Sequence, residues 1–252
     1  MLLFFIMGKS IPKRTAKQNQ NRRFDAGLWL KMPFAVLLDV ILPPTCLVCH
    51  TRVSSRDNAG ALCPHCWGEL TPLSPDDADV AAMLDETDLD SFHAPYLYNE
   101  TAGGIVHQLK YNDGLRVAKF MARQMNSALH LTDCDLIVPV PLHPSRLRQR
   151  KYNQSAVLVH DLARMADVPV NVTALKRVRR TASQVGQPAK VRRRQLRNAF
   201  WADGNIFVGK EVLLVDDVCT TGSTAHWCAK ALKEAGAKKV NLLTFAYVPP
   251  KL

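Results

Sequence analysis

The residues with the clearest chemical potential lie in one segment, from Val212 to Thr224. Four aliphatic residues typical of a buried strand lead to two adjacent carboxylates, Asp216 and Asp217, and a short run of hydroxyl residues follows. These carboxylates can accept hydrogen bonds from the vicinal hydroxyls of a sugar. Backbone N–H groups at the start of the next helix favour a phosphate dianion. The segment therefore predicts a sugar-phosphate site, and the alternative is a buried strand that ends in an acidic turn.

The hydroxyl run supplies the predicted phosphate contacts. Its members combine backbone N–H donors with hydroxyl donors, and they are Thr220, Thr221, Gly222, Ser223 and Thr224. Gly222 lets the backbone approach the anion closely and adopt a positive φ where the turn requires one.

A second candidate anion site follows another strand-like segment, residues 135–140. The connection after it carries two prolines and four cations before a helix that Asn153 can cap. Because arginine binds oxyanions in bidentate fashion, this connection suits a highly charged anion such as pyrophosphate. We therefore predict pyrophosphate contacts at Arg148, Arg150 and Lys151, with a basic surface loop as the alternative.

Four of the seven cysteines form two C-x-x-C pairs, which are Cys46 with Cys49 and Cys63 with Cys66. Two such pairs can converge on one tetrahedral zinc ion, and four thiolates leave no open coordination position. The prediction is a structural zinc site in a small module that can unfold while the rest of the chain stays folded. Two disulfides, or replacement of one cysteine by His50 or His65, are the alternatives.

Charge is distributed unevenly along the 252 residues, whose net charge is +11. Residues 1–32 carry a net +6, residues 57–109 hold ten acids without Lys or Arg, and residues 176–197 hold nine Lys or Arg without an acid. The basic segments fit polyanionic ligands, although a solvated surface explains them as well. No apolar run approaches the roughly 20 residues that a membrane span needs, and we expect a cytoplasmic protein.

From residue 92 onward, strand-like and helix-like segments alternate, which predicts an α/β fold with a doubly wound parallel sheet. Ligands of such sheets bind at the carboxyl ends of the strands. The predicted strands before residue 180 include Pro95–Tyr98 and Val172–Leu175. We divide the chain into a disordered basic extension (1–32), a helix plus zinc-ribbon module (33–72), an acidic linker or exposed helix (73–91) and an α/β domain (92–250).

The segment 212–224 resembles the signature of type I phosphoribosyltransferases, which bind 5-phosphoribosyl-1-pyrophosphate (PRPP). The resemblance implies that Asp216 and Asp217 hold the ribose and that residues 220–224 hold the 5′-phosphate. Some members of that family carry an aspartate at the position of Thr220, where it acts as a base toward a purine. Because this chain lacks it, either another group activates the acceptor or no transfer occurs.

The order of motifs narrows the resemblance to the ComF (competence protein F-like) family. The motifs are a C-x-x-C module near the start, VPVPL at residues 138–142, the basic run that ends in Tyr152-Asn153-Gln154, and the pair Lys110-Tyr111. Lys151 stands where that family usually has glycine. The resemblance implies a type I phosphoribosyltransferase-like domain behind a zinc ribbon.

The resemblance also implies the function that we expect. It is transfer of a phosphoribosyl group from PRPP to an unknown nitrogenous acceptor, with Mg²⁺ bound alongside PRPP, in a protein linked to DNA uptake or the use of external DNA. The alternative is a non-enzymatic accessory protein that binds single-stranded DNA and keeps the fold. Competence or DNA-processing proteins and a second copy of the chain are the further candidate partners.

Overall fold

The computed structural model describes residues 44–53, 61–111, 114–128, 134–150, 152–179 and 195–250. The predicted basic extension (1–32) and the predicted helix at 33–42 lie outside these residues. So does most of the basic segment 176–197, of which residues 176–179 and 195–197 are described. No helix in the described residues is both long enough and apolar enough to cross a membrane.

The described strands are β1 (Ser91–His93), β2 (Tyr96–Leu97), β3 (Leu136–Pro139), β4 (Leu175–Arg177), β5 (Phe200–Ala202), β6 (Glu211–Cys219) and β7 (Lys239–Tyr247). The described helices are α1 (Pro64–Gly68), α2 (Ala78–Asp85), α3 (Glu100–Tyr111), α4 (Gly114–Ala128), α5 (Pro144–Arg150), α6 (Gln154–Ala166), α7 (Gly204–Phe207) and α8 (Ser223–Glu234).

Five strands form one parallel sheet. Its order is β1–β7–β6–β3, and β2 also pairs with β7. The central strands β6 and β7 are apolar on both faces, as expected for parallel strands covered on both sides. A separate antiparallel hairpin consists of β4 and β5.

The two faces of the sheet bury two separate cores. Leu213 and Val215 of β6 pack in the core that α3, α4 and α6 cover, whereas Val212 and Leu214 pack in the core beneath α2, α8 and the β4–β5 hairpin. Alternate strand residues point to opposite faces, which explains this division. Helices on both faces of a parallel sheet confirm the predicted doubly wound architecture.

The predicted strand Val172–Leu175 is wrong in position, since β4 begins only at Leu175. The β-branched residues around Val172 favour a strand by propensity. However, the side chain of Asn171 accepts hydrogen bonds from the backbone N–H groups of Thr173 and Ala174. This Asx turn replaces the extended backbone there.

Two more segments differ from the sequence prediction. The cationic connection after β3 contains a short helix, α5, which Pro144 begins; proline is favoured at a first helical position. The acidic stretch before β1 contains α2, whose Val80 and Met83 are buried in the core. The sequence left that stretch open between a linker and an exposed helix, and the structure shows a helix with one buried side.

Candidate active site and zinc centre

Asp216 and Asp217, the acidic pair, lie within β6 rather than after its end. Pro139, the last residue of β3, pairs with Val215, whereas β7 continues beside β6 as far as Cys219. Asp216 and Asp217 are therefore the first residues of β6 that β3 no longer covers. Their position at the carboxyl end of β3 agrees with the expected location of a ligand site.

Asp216 is a half-buried acid whose carboxylate accepts two hydrogen bonds. Its Oδ1 accepts from Ser155 Oγ at 2.8 Å and from the backbone N–H of Asp217 at 2.9 Å. Burial raises the pKa of Asp216 to about 7, and the neighbouring charge of Asp217 acts in the same direction. Near neutral pH the side chain is thus a mixture of the carboxylate, which only accepts hydrogen bonds, and the acid, which can also donate.

Asp217 forms an ion pair with Lys110. The Lys110 Nζ lies 2.9 Å from Asp217 Oδ2, and the two side chains are 23% and 14% exposed. Lys110 belongs to the last turn of α3, where the hydroxyl of Tyr152 donates to the carbonyl of Leu109. Tyr152, which follows the cationic connection, therefore anchors α3, the helix that carries Lys110.

The predicted phosphate loop is short. It comprises Thr220 to Gly222, and α8 begins at Ser223, so Ser223 and Thr224 are the first helical residues. Their backbone N–H groups belong to the first turn of a helix, where N–H groups lack carbonyl partners within the helix. A cavity of about 50 Å³ opens here, and its lining includes Asp216, residues 220–224 and Thr244.

Gly222 meets two requirements at once. Its φ is 65°, in the left-handed region that favours glycine. A Cβ atom at this position would also lie 2.9 Å from the Sδ of Met83 in α2. Met83 Sδ in turn lies 3.5 Å from Cys219 Sγ, so α2 packs directly against the loop.

The residues that follow α2 make a further contact with α8. The backbone N–H of Asp88 donates to Nδ1 of His226, one turn into α8, at 3.2 Å. Residues 83–88 therefore support both the loop and the beginning of the helix.

The cationic connection is only partly described. The side chain of Arg148 is exposed on α5, while Lys151 and the side chain of Arg150 lie outside the description. Within the described residues no hydrogen bond or ion pair joins Arg148 to the acidic pair, and the pyrophosphate assignment stays a prediction. The end of this connection is well anchored, because Asn153 caps α6 and donates to the carbonyl of Val140.

The four predicted zinc ligands lie together. The Sγ atoms of Cys46, Cys49, Cys63 and Cys66 are all within 4.8 Å of one another, and those of Cys49 and Cys63 are 3.6 Å apart. A tetrahedral site with zinc–sulfur bonds of about 2.3 Å places its sulfur atoms roughly 3.8 Å apart. The arrangement therefore fits one zinc ion, and no disulfide occurs among the seven cysteines.

Backbone N–H groups support both pairs of thiols. Val48 N–H donates to Cys46 Sγ and Cys66 N–H donates to Cys63 Sγ. Burial raises the pKa of Cys66, whereas a hydrogen bond with Thr51 lowers the pKa of Cys49 to about 6. Since zinc binds thiolates, the ion itself must stabilise the buried ones.

The cysteine module shares the core beneath α3 and α4. Leu62 is 1% exposed in that core, and the rings of Trp67 and Phe120 meet edge to face at 6.0 Å. Val48 packs against Gly104, where a Cβ would approach it to 3.2 Å. This shared packing argues against the expectation that the module unfolds alone.

Comparison with known proteins agrees with this geometry. Residues 152–251 match the phosphoribosyl transferase domain, and residues 37–77 match the double zinc ribbon domain. Competence protein F of Haemophilus influenzae is 31% identical over 206 residues, which cover 78% of this chain and 87% of that relative. The chain belongs to the competence protein F family. Its fold is that of a type I phosphoribosyltransferase preceded by a zinc ribbon.

Two further similarities are weaker. The DNA utilization protein YhgH of Escherichia coli K12 is 35% identical over 145 residues, which cover 55% of this chain and 63% of that protein. A solved glutamine PRPP amidotransferase from B. subtilis, in complex with ADP and GMP, is 22% identical with a TM-score of 0.34, and the match covers 52% of this chain and 27% of that chain.

The sequence pointed to the loop and the acidic pair but missed their supports. The family motif includes Lys110 but indicates no role for it, and neither Ser155 nor Met83 belongs to a motif that indicates a function. Ser155 could have been found, because it lies in the first turn of the helix that follows β3 and its cationic connection. Met83 carried no signal, since its contact with the loop spans more than 130 residues of chain.

Proposed function

We propose that this protein binds PRPP at the carboxyl end of β6. One observation carries the proposal: a carboxylate of the acidic pair and the hydroxyl loop at the start of α8 line the same cavity. In this arrangement residues 220–224 hold the 5′-phosphate, while Asp216 and Asp217 accept hydrogen bonds from the ribose hydroxyls. The dipole of the 12-residue helix α8 adds to the attraction for a dianion.

We include Mg²⁺ in the bound state. Hard oxygen ligands suit this ion. Among the described residues, the hydrogen bonds engage Oδ1 of Asp216 and the ion pair engages Oδ2 of Asp217, which leaves the other oxygen of each for a metal ion. The raised pKa of Asp216 also fits a site that a cation completes. When bound, Mg²⁺ would be held by Asp216 and Asp217 and would offset the negative charge of the departing pyrophosphate.

The proposed reaction is phosphoribosyl transfer to a nitrogenous acceptor. The bond from ribose C1 to the pyrophosphate oxygen breaks, a bond from C1 to the acceptor nitrogen forms, and pyrophosphate leaves with the bonding electron pair. The acceptor nitrogen loses its proton to solvent or to a base other than residue 220, which is threonine here. Arg148, Arg150 and Lys151 stabilise the charge that develops on the leaving group.

Calorimetry with PRPP and Mg²⁺ tests the proposal. Changing Asp216 and Asp217 together to Asn keeps the size of the side chains and removes their charge, which costs roughly 1.5–3 kcal/mol of binding free energy. Asp135→Asn is the matched control, because Asp135 lies at the amino-terminal edge of the same sheet and accepts from Glu211 N–H. Equal PRPP affinity of the wild type and the double variant would contradict the proposal.

A second candidate function is binding of single-stranded DNA. Nine Lys or Arg without an acid in residues 176–197 favour it, because such a segment neutralises a phosphate backbone. The names of the relatives, which refer to competence and to DNA utilization, agree with this direction. The two functions are compatible, since they use different residues.

A further inference from the structure

The outer surface of the β4–β5 hairpin has no part in the site described above. Residues of its inner side, such as Leu175 and Phe200, are buried in the core beneath α8. On the outer side Lys176 lies directly opposite Trp201. A sheet with one face on the core is expected to carry polar residues on the other.

Instead, large apolar residues occupy part of this outer side. Trp201 is 47% exposed, and Val178, which follows β4, is 60% exposed. The Nζ of Lys176 lies 5.5 Å from the centre of the Trp201 ring, within the range of a cation–π contact. Arg179, the next residue of the chain after Val178, is also exposed.

This combination matches one class of ligand better than others. Aromatic side chains between cations bind single-stranded nucleic acid, because bases stack on the ring while the cations neutralise phosphates. A duplex keeps its bases stacked on one another and offers no base face to the indole. A protein partner usually requires a larger apolar core than two residues flanked by cations.

We propose that Trp201, with Lys176 and Arg179, forms a base-stacking platform for single-stranded nucleic acid. The proposal rests on the second candidate function and adds the side chain that contacts bases. It distinguishes this hairpin from a purely electrostatic surface, on which only the phosphates would matter.

The test uses the full-length zinc-bound protein and a short oligo-dT strand at about 50 mM salt. Stacking contributes roughly 5- to 150-fold in affinity per base by alanine substitution, so we expect Trp201→Ala to weaken binding within that range. Trp201→Phe keeps an aromatic ring, so it should lose much less affinity while it removes the quenching of tryptophan fluorescence that the strand causes. An abasic strand of equal length should bind the wild type as weakly as oligo-dT binds Trp201→Ala.

The chain offers a matched control. Trp227 of α8 also lies beside a lysine, with Lys230 Nζ 5.4 Å from its ring centre, but it is half-buried. Trp227→Phe should therefore retain both affinity and quenching. If circular dichroism shows that Trp201→Ala does not fold, the Trp201→Phe variant tests the platform instead. Loss of fluorescence quenching in that variant would support the platform, and retained quenching would contradict it.

Three results would overturn the platform. They are wild-type affinity in Trp201→Ala, equal affinity of the wild type for oligo-dT and the abasic strand, and a change of oligomeric state on mutation of Trp201, which would assign the surface to a second copy of the chain. If the wild type binds no oligonucleotide at all, the second candidate function fails together with the platform. Calorimetry with PRPP is unaffected by that outcome, so the two proposals fail separately.

Discussion

At the scale of single residues, ionisation of Asp216 lowers the free energy of unfolding of the protein. Its pKa is raised from 3.8 to about 7, mainly by burial, so the folded protein holds a proton that the unfolded chain releases. Between these two values the folded state binds more protons than the unfolded state. The free energy of unfolding therefore falls as the pH rises from about 4 to about 7 and then levels off.

This pH dependence of the free energy of unfolding gives a prediction for Asp216→Asn. The amide carries no charge, so the variant should be more stable than the wild type at pH 8, by roughly 1–3 kcal/mol, and the difference should vanish near pH 4. Urea unfolding at several pH values, in the presence of zinc, measures it. Asp135→Asn should show no such pattern, and a variant less stable than the wild type at pH 8 would contradict the account.

Lys110 is the second residue with a specific expectation. It supplies a positive charge 2.9 Å from Asp217, and that charge also lowers the pKa of Asp216. The positive charge of Lys110 reduces the repulsion between the two adjacent carboxylates and a ligand rich in phosphates. The same charge competes with a divalent metal ion for these carboxylates. Lys110→Met should therefore weaken PRPP binding roughly tenfold, on the scale of a lost charge-assisted hydrogen bond, and should strengthen binding of Mn²⁺ alone.

Calorimetry with PRPP·Mg²⁺ and electron paramagnetic resonance with Mn²⁺ provide the two readouts for Lys110→Met. Lys119→Met, at an exposed position of α4, serves as the control. The opposite signs of the two effects separate the proposed role from general destabilisation, which would weaken both ligands. Weaker Mn²⁺ binding in Lys110→Met would show that Lys110 does not compete with the metal.

At the scale of elements, the zinc ribbon and the phosphoribosyltransferase fold are joined by a common core. Leu62 and Trp67 lie beside α3 and α4, so loss of zinc exposes apolar surface of both parts. Since structural zinc contributes folding free energy directly, Cys66→Ser should release the metal and also lower the melting temperature of the remaining domain.

The zinc prediction is checked by metal analysis together with thermal unfolding followed at two wavelengths. Cys134→Ser is the control, because Cys134 lies outside the cysteine cluster. Retention of the wild-type melting temperature after loss of zinc would restore the independent module that the sequence suggested.

The same scale shows where sequence reasoning succeeded and where it stopped. The run Val212–Val215 predicted the central strand because burial on both faces leaves a continuous apolar pattern. Its continuation through Asp216 and Asp217 could not be read, since aspartate is rare in strands and only the pairing with β7 holds those residues extended.

Contacts between residues that lie far apart in the chain could not be predicted from the sequence. Ser155 lies 61 positions from Asp216, and Met83 lies 136 positions from Cys219. No local periodicity encodes such pairs, because they arise only when the helices pack on the sheet. By contrast, the cysteine cluster was predictable, since two short C-x-x-C spacings and the chemistry of zinc nearly determine it.

At the scale of the whole molecule, the net charge of +11 raises the question of whether the cations serve PRPP or a nucleic-acid backbone. The two uses differ in their response to salt. Binding to a single strand falls with salt by a log–log slope of roughly −0.7 for each phosphate contact. Under the proposal, binding of PRPP in a pocket formed by the loop and the acidic pair should depend on local contacts, and pyrophosphate should displace PRPP.

Replacing Arg192, Arg193 and Arg194 together by Ala separates these uses. If the basic segment binds a nucleic-acid backbone, the variant should bind oligonucleotides of every sequence more weakly, and its salt slope should be shallower by about 2 if all three arginines contact phosphates. Its affinity for PRPP·Mg²⁺ should be unchanged, because the residues assigned to PRPP lie elsewhere in the chain. Fluorescence anisotropy across a salt series and calorimetry with PRPP give the two measurements. A selective loss of PRPP affinity would instead place the arginines at the PRPP site, and the basic segment would then belong to the transferase function alone.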